Sequence, residues 1–297
     1  MFVSRFATLL IYSISWIARN VEGADPVVFD YADPDTDWPL LGFVPTPFGM
    51  EPNECGRSDR QSPINIPGSL MMSNCRSPVT PYVLDNSKES CLFSELTFPI
   101  KDIDVGVGFG NCSIPPTIKL DNGSFGNSVE YTALQFHIHT GTEHSFDGDF
   151  ADAELHIVHA NLAVPDFSFA TGDFQVVGVK IKGEGTETHP IFEKLLVQWE
   201  AALGEIEVFC TGGHPKVGIQ VRWLLRVQPT VFWNLASEVL TVSESQVTRM
   251  FAVINNYRYP EGSTAECNLN EKPSPEGWTS RPPQQLHRVV KQCGVRS

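Results

Sequence analysis

The chain has 297 residues, of which 41% are hydrophobic, 19% charged and 10% aromatic. That is enough apolar material for one large domain or two small ones, and it excludes a disordered tail, a collagen-like chain and a polytopic membrane protein. Thirty-five acidic residues against 21 basic ones give a formal charge of −14; such a chain repels phosphate backbones, so no nucleic-acid partner is expected.

Residues 1–23 read as a secretory signal peptide: Arg5 precedes an apolar run at 6–18, Arg19 closes it, and the small residues Gly23 and Ala24 follow. The run is too short for a comfortable membrane-spanning helix, and no second apolar stretch of spanning length follows. Cleavage is favoured over an uncleaved anchor, so the secretory pathway or the cell exterior is expected. Residues 24–54, rich in Asp, Pro and Gly, read as an irregular leader to a domain at 55–293. Seven cysteines (Cys55, Cys75, Cys91, Cys112, Cys210, Cys267 and Cys293) form no CxxC pair, which argues against a thiolate zinc site and for disulfides after export. The odd count leaves at least one thiol over. Asn111 and Asn122 stand in glycosylation sequons.

From 90 to 185 come short alternating or apolar runs separated by turn residues: CLFSELTF, TIKL, YTALQFHIH, AELHIVHAN and FQVVGVKIKG. They predict the strands of one large sheet. Two helices follow. In residues 190–209, Ile191, Leu195, Trp199, Ala202 and Ile206 recur at helical spacing. Residues 243–257 open on a capping-box pattern, Ser243 to Gln246, and then bury Val247, Phe251 and Ile254. Residues 260–285 read as loop.

Five of the eight histidines lie between 137 and 159. In LQFHIHTG, strand alternation puts Gln135, His137 and His139 on one face and Leu134, Phe136 and Ile138 on the other. The two imidazoles then sit about 6–7 Å apart, a workable span for two ligands of one ion. In AELHIVHAN, Glu154, His156 and Val158 share a face. An antiparallel partnership of the two strands would let His156 complete a trio. Zinc on three neutral nitrogens keeps a fourth position for water and lowers that water's pKa from about 15.7 to roughly 7. Gln135 and Glu154, each two residues before a ligand and on its face, are placed to accept the rings' second N–H groups. A lone strand histidine is ordinarily a hydrogen-bonded packing residue, and HxH recurs by chance. The third histidine and the polar residue two before a ligand in each strand set this pattern apart. His144 and His159 are read as buried packing residues, and His189, His214 and His287 have no local context. Iron or copper would suit imidazoles too, but no carboxylate ligand favours the iron facial triad.

QSPINI at 61–66, LQFHIHTGTEHSFDG at 134–148, AELHIVHAN at 153–161, TVSESQV at 241–247 and TSRPPQQLHRVV at 279–290 together resemble the α-class carbonic anhydrases, in the right order along the chain. The resemblance covers about residues 55–290. It implies a single, mostly β domain with peripheral helices, built on a large, mainly antiparallel twisted sheet. At its centre it implies Zn2+ on His137, His139 and His156, with Gln135 and Glu154 as outer partners. It implies reversible hydration of carbon dioxide to bicarbonate and a proton by zinc-bound hydroxide. Val158, Val176, Val231 and Trp233 would form the apolar wall that holds carbon dioxide.

The sequence departs from the family pattern in three places. Ser124 stands where a proton-shuttling histidine is expected, and serine does not titrate near neutrality. The Thr-Thr-Pro-Pro-Cys segment, whose first threonine links the zinc hydroxide to a buried glutamate matched by Glu143, is replaced by RWLLRVQP at 222–229. No threonine stands between Thr211 and Thr230, so Glu143 is expected to be a buried carboxylate without its partner, a group that draws in water or shifts its pKa upward. The motif's cysteine is also gone: Val227 occupies its place, which makes Cys55 the odd thiol or re-pairs it with Cys210. Residues 211–228 form a basic, unpatterned run in an acidic chain. Codons for Trp-Leu-Leu-Arg can encode Ala-Thr-Pro in another frame, so this run reads as out of frame or as a mis-joined exon, against genuine divergence. The alternative to the enzyme is therefore a secreted, catalytically impaired relative that keeps the zinc site as a binding or matrix protein. Ester hydrolysis by the same centre lacks an oxyanion-donor pattern.

Overall fold

Among the described residues strands outnumber helices twelve to two, and the two longest strands organise the sheet. The computed structural model describes residues 43–46, 49–52, 62–67, 96–97, 105–108, 116–121, 128–164, 173–210, 231–236, 238–256, 278–281 and 283–284. The expected signal peptide, six of the seven cysteines, both sequons, Ser124 and the run at 211–228 lie outside these residues.

Strands β1 (Phe43–Thr46) and β2 (Gly49–Pro52) pair antiparallel as a two-stranded ribbon. They fall within the stretch read as an irregular leader. Pro45 and Pro52 stand opposite Met50 and Phe43 in this ribbon; a ribbon strand accepts proline where the missing N–H would face away from the partner strand. Strand β3 (Asn65–Ile66) is short and lies apart from the main sheet.

The main sheet has eight strands. Strands β4 (Leu96–Thr97), β5 (Val105–Gly108) and β6 (Thr117–Asp121) are short. Strand β7 (Ser128–Thr140) is long enough to pair with β6 along its first half and with β5 along its second. Strand β8 (Ser145–Phe146) turns aside to pair with β3. Strand β9 (Ala153–Ala160) runs antiparallel between β7 and β10 (Phe174–Gly185), so both its edges are bonded, and seven of its eight residues are buried. A central strand covered on both faces carries such a sequence.

Helix α1 (Pro190–Cys210) occupies the region where helical spacing predicts 190–209, and α2 (Glu244–Asn256) that predicted at 243–257. Between them lie β11 (Val231–Leu235) and β12 (Leu240–Ser243), both parallel to β10. The sheet is therefore mixed rather than mainly antiparallel. After β10 the chain returns through a helix, and a crossover of that kind delivers the next strand parallel.

The core separates along the two sheet faces. Phe136, Ile138, Ile157, Val177 and Ile181 pack with Phe192, Leu195, Leu196 and Trp199 of α1 and with Met250, Val253 and Ile254 of α2. At the helix starts one side chain serves both. The buried Gln246 accepts the Ser243 N–H at 3.3 Å while its own N–H bonds the Ser243 hydroxyl at 3.3 Å, completing the expected capping box. Its side-chain amide also reaches α1, accepting the His189 N–H at 2.9 Å and donating to the His189 carbonyl at 3.0 Å. The opposite sheet face holds a smaller cluster of Val158, Ala160, Phe174 and Val176, with Leu134 and Trp233 against it.

Leu134 corrects the alternation argument, which put it with Phe136 and Ile138. The β7–β9 register shifts between Ala133 and Gln135. A bulge sets successive residues on one side of the strand, so Leu134 joins the Val158 cluster instead. Beyond the bulge the expected alternation resumes, and the antiparallel register sets His137 opposite His156 and His139 opposite Glu154.

Candidate metal centre

The cross-strand pairing of His137 and His156, with His139 two residues on, gathers three imidazoles on one sheet face. Ring centroids lie 4.8–5.1 Å apart, and one nitrogen from each ring lies within 4.8 Å of the others. All three second nitrogens face an acceptor. His137 Nδ1 is 3.1 Å from Gln135 Oε1, His139 Nδ1 is 2.6 Å from the Thr279 carbonyl, and His156 Nε2 is 3.0 Å from Glu154 Oε1. Amide, carbonyl and carboxylate oxygens only accept, so each must receive an N–H. That fixes the tautomers and leaves His137 Nε2, His139 Nε2 and His156 Nδ1 as lone pairs.

His156 Nδ1 and His137 Nε2 stand 3.2 Å apart. Between two lone pairs that is no hydrogen bond. It matches the edge of about 3.3 Å expected between two nitrogens of a tetrahedral zinc site with bonds of 2.0–2.1 Å. The donor set therefore fits the ion. Burial, reinforced by His139 and His156, holds the His137 imidazole well below its ordinary range, and burial lowers His156 too. Both shifts favour the neutral imidazole, the form a metal ligand must take.

Glu154 serves more than one ring. It is buried, and its Oε2 accepts the His144 backbone N–H at 2.7 Å while its Oε1 accepts the His144 ring Nδ1–H at 2.7 Å. Burial pushes this carboxyl upward, but the facing His156 and the N–H groups of His144 and His156 outweigh it and hold it well below the ordinary carboxylate range. His144, read from sequence as packing, is buried and hydrogen-bonded but belongs to the centre: Ser62 Oγ–H donates to its Nε2 at 3.0 Å. Its offset of ten residues from Glu154 gives no periodic signal, and the Thr279 carbonyl has none either. His159 is buried with its Nδ1 3.3 Å from the Gln175 carbonyl, away from the trio.

The Trp233 ring centroid lies 4.7 Å from those of both His144 and His156, tilted against the first and edge-on to the second, and Val158 and Val176 pack beside it. Val231 opens β11 opposite Phe174; its side chain lies outside the described residues. Glu143 is buried and accepts the Arg281 backbone N–H at 3.2 Å, so it has one donor despite the missing threonine. Its other oxygen lies 3.9 Å from His156 Nε2. The Arg281 guanidinium donates to the Ser62 carbonyl at 2.9 Å, pinning this segment beside the centre.

Residues 45–205, more than half of the chain, match the family model of eukaryotic-type carbonic anhydrase. The chain belongs to that family. Among carbonic anhydrases it is 27% identical over 201 residues to alpha carbonic anhydrase 3 of Arabidopsis thaliana, covering 65% of each chain. It is 30% identical over 184 residues to carbonic anhydrase 3 of Equus caballus, covering 55% of this chain and 66% of that one. The matched stretches thus span just under two-thirds of those relatives' lengths. The fold is similar to the crystal structure of a halotolerant carbonic anhydrase from Dunaliella salina, with a TM-score of 0.51 at 20% identity over 82% of this chain and 93% of that one. No described helix is long and apolar enough to cross a membrane.

Proposed function

We propose that this carbonic anhydrase hydrates carbon dioxide reversibly to bicarbonate and a proton, with zinc held by His137, His139 and His156. The observation that carries the reading is the tautomer pattern: three rings with their outer nitrogens committed to acceptors and three lone pairs left to converge. Zinc bound there supplies a Lewis acid that brings the pKa of a water from about 15.7 to about 7. Gln135, the Thr279 carbonyl and Glu154 fix the ring planes and keep the facing nitrogens unprotonated. Val158, Val176 and Trp233, with Val231 two residues before Trp233 on β11, offer carbon dioxide an apolar wall. Glu143 accepts from Arg281 and stands ready to take a further hydrogen bond. Ser124 cannot relay a proton at neutral pH, so release of the product proton falls to buffer and water. The signal-like segment at 1–23 supports export of the chain.

A second reading has one observation in its favour. Glu143 lacks the hydroxyl partner the family pattern supplies, because no threonine stands between Thr211 and Thr230. A zinc-retaining, catalytically impaired secreted protein follows from that departure. Zinc content of the purified mature chain, measured beside stopped-flow hydration of carbon dioxide with and without a sulfonamide, separates the two. Stoichiometric zinc with inhibitable, buffer-dependent turnover is expected. Zinc without turnover selects the second reading, and absence of zinc overturns both.

A further inference from the structure

Gly178 lies in the interior of β10, paired with His156 of β9. Glycine weakens a strand interior, where it costs entropy and packs nothing. Gly178 has no positive φ, unlike Gly141 at +71°, so its backbone is one that any residue adopts and the reason for glycine is space. A Cβ built there would lie 2.6 Å from Leu235 Cδ2 and 2.9 Å from Glu154 Oε1. The two neighbours differ in their freedom to yield. Leu235 is half-buried at the end of β11, and a rotamer change moves its methyl away. The Glu154 carboxylate is buried and held by three N–H donors. Moving it by about 0.5 Å exhausts the tolerance within which a working site must be held.

We infer that Gly178 is a positioning residue for the metal centre: its missing side chain is the space in which Glu154 meets His156 and His144. The inference rests on the zinc reading for its effect on affinity, but its contacts stand without the ion. Four proteins test it: the parent, Gly178→Ala, Leu235→Ala and the double variant. Zinc affinity is read by competition with a chromophoric chelator, and the ring N–H resonances of His144 and His156 by NMR on the metal-free proteins. Gly178→Ala and the double variant are expected to bind zinc about 10–100-fold more weakly, the range for loss of an outer partner. Their two ring-proton resonances should be displaced, while Leu235→Ala matches the parent. Parent-like affinity or parent-like ring protons in the double variant would show that only the leucine contact mattered and overturn the inference. Should Gly178→Ala alone not fold, the double variant decides, since its clash with Leu235 is gone. A parent that takes up no zinc defeats the zinc reading, and the metal-free resonances then still judge the glycine.

Discussion

On the histidine side of the centre, His137, His139 and His156 each meet an oxygen acceptor at 2.6–3.1 Å. On the Glu143 side, among the described residues, one carboxylate oxygen accepts a backbone N–H at 3.2 Å and the other has His156 Nε2 at 3.9 Å, beyond hydrogen-bond range. The difference follows from where each side is encoded. Holding a metal needs residues that alternate along β7 and β9, two adjacent strands whose register the apolar face enforces. On the family pattern, orienting the reacting groups would take a threonine hydroxyl from the stretch where this sequence departs from it.

The comparison breaks most severely at its strong side. His156→Ala should abolish zinc binding and hydration together, a larger loss than the about 10–100-fold expected for an outer partner. His159→Ala, on the other face of the same strand, should keep the metal. Metal analysis of both purified variants checks this; equal zinc loss would mean that the two faces of β9 are wrongly assigned.

The weak side predicts a smaller effect. With no threonine between Thr211 and Thr230 to orient, Glu143→Gln should change the hydration rate by less than about threefold, against roughly 100-fold or more for a residue engaged in proton traffic at the reacting atoms. Stopped-flow rates on zinc-loaded protein distinguish these. A collapse in rate would mean that Glu143 has found another partner in the reaction.

A separate effect, on stability rather than rate, concerns acid pH. Burial holds the His159 imidazole at about 4, below the value of about 6.5 for an exposed chain. The unfolded state therefore binds the extra proton first. The neutral ring's contribution is intact above about pH 6.5 and is lost as the pH falls towards 4, a change on the order of 3 kcal/mol. In the metal-free protein, the pH dependence of urea midpoints should be shallower over that window for His159→Ala than for the parent. Parallel curves would assign the acid sensitivity to other groups, such as His137 and His156, whose imidazoles are lowered as well.

Much of this architecture is readable in the residues because its periods are short. The two helices follow from 3.6-residue spacing and a capping box, and the gathering of the three imidazoles from two-residue alternation. The parallel pairing of β10 with β11 and β12 depends on a crossover, which local pattern does not encode. Alternation alone puts Leu134 on the wrong face, because the bulge beside it leaves no mark such as glycine or proline. His144 and the Thr279 carbonyl join the centre from segments that tertiary packing brings in, and a backbone carbonyl has no residue type to betray it. Gly178 is legible only once Glu154 is seen against it.

Gln246 links the first turns of α1 and α2 through one buried amide. Neither helix start can fray while the other stays intact, because loosening either strands a buried donor and acceptor on the other. The pair should behave as a single cooperative unit in native-state hydrogen exchange. Slow amides of both helices would then report one shared opening event, and truncation of Gln246 to alanine would split it into two.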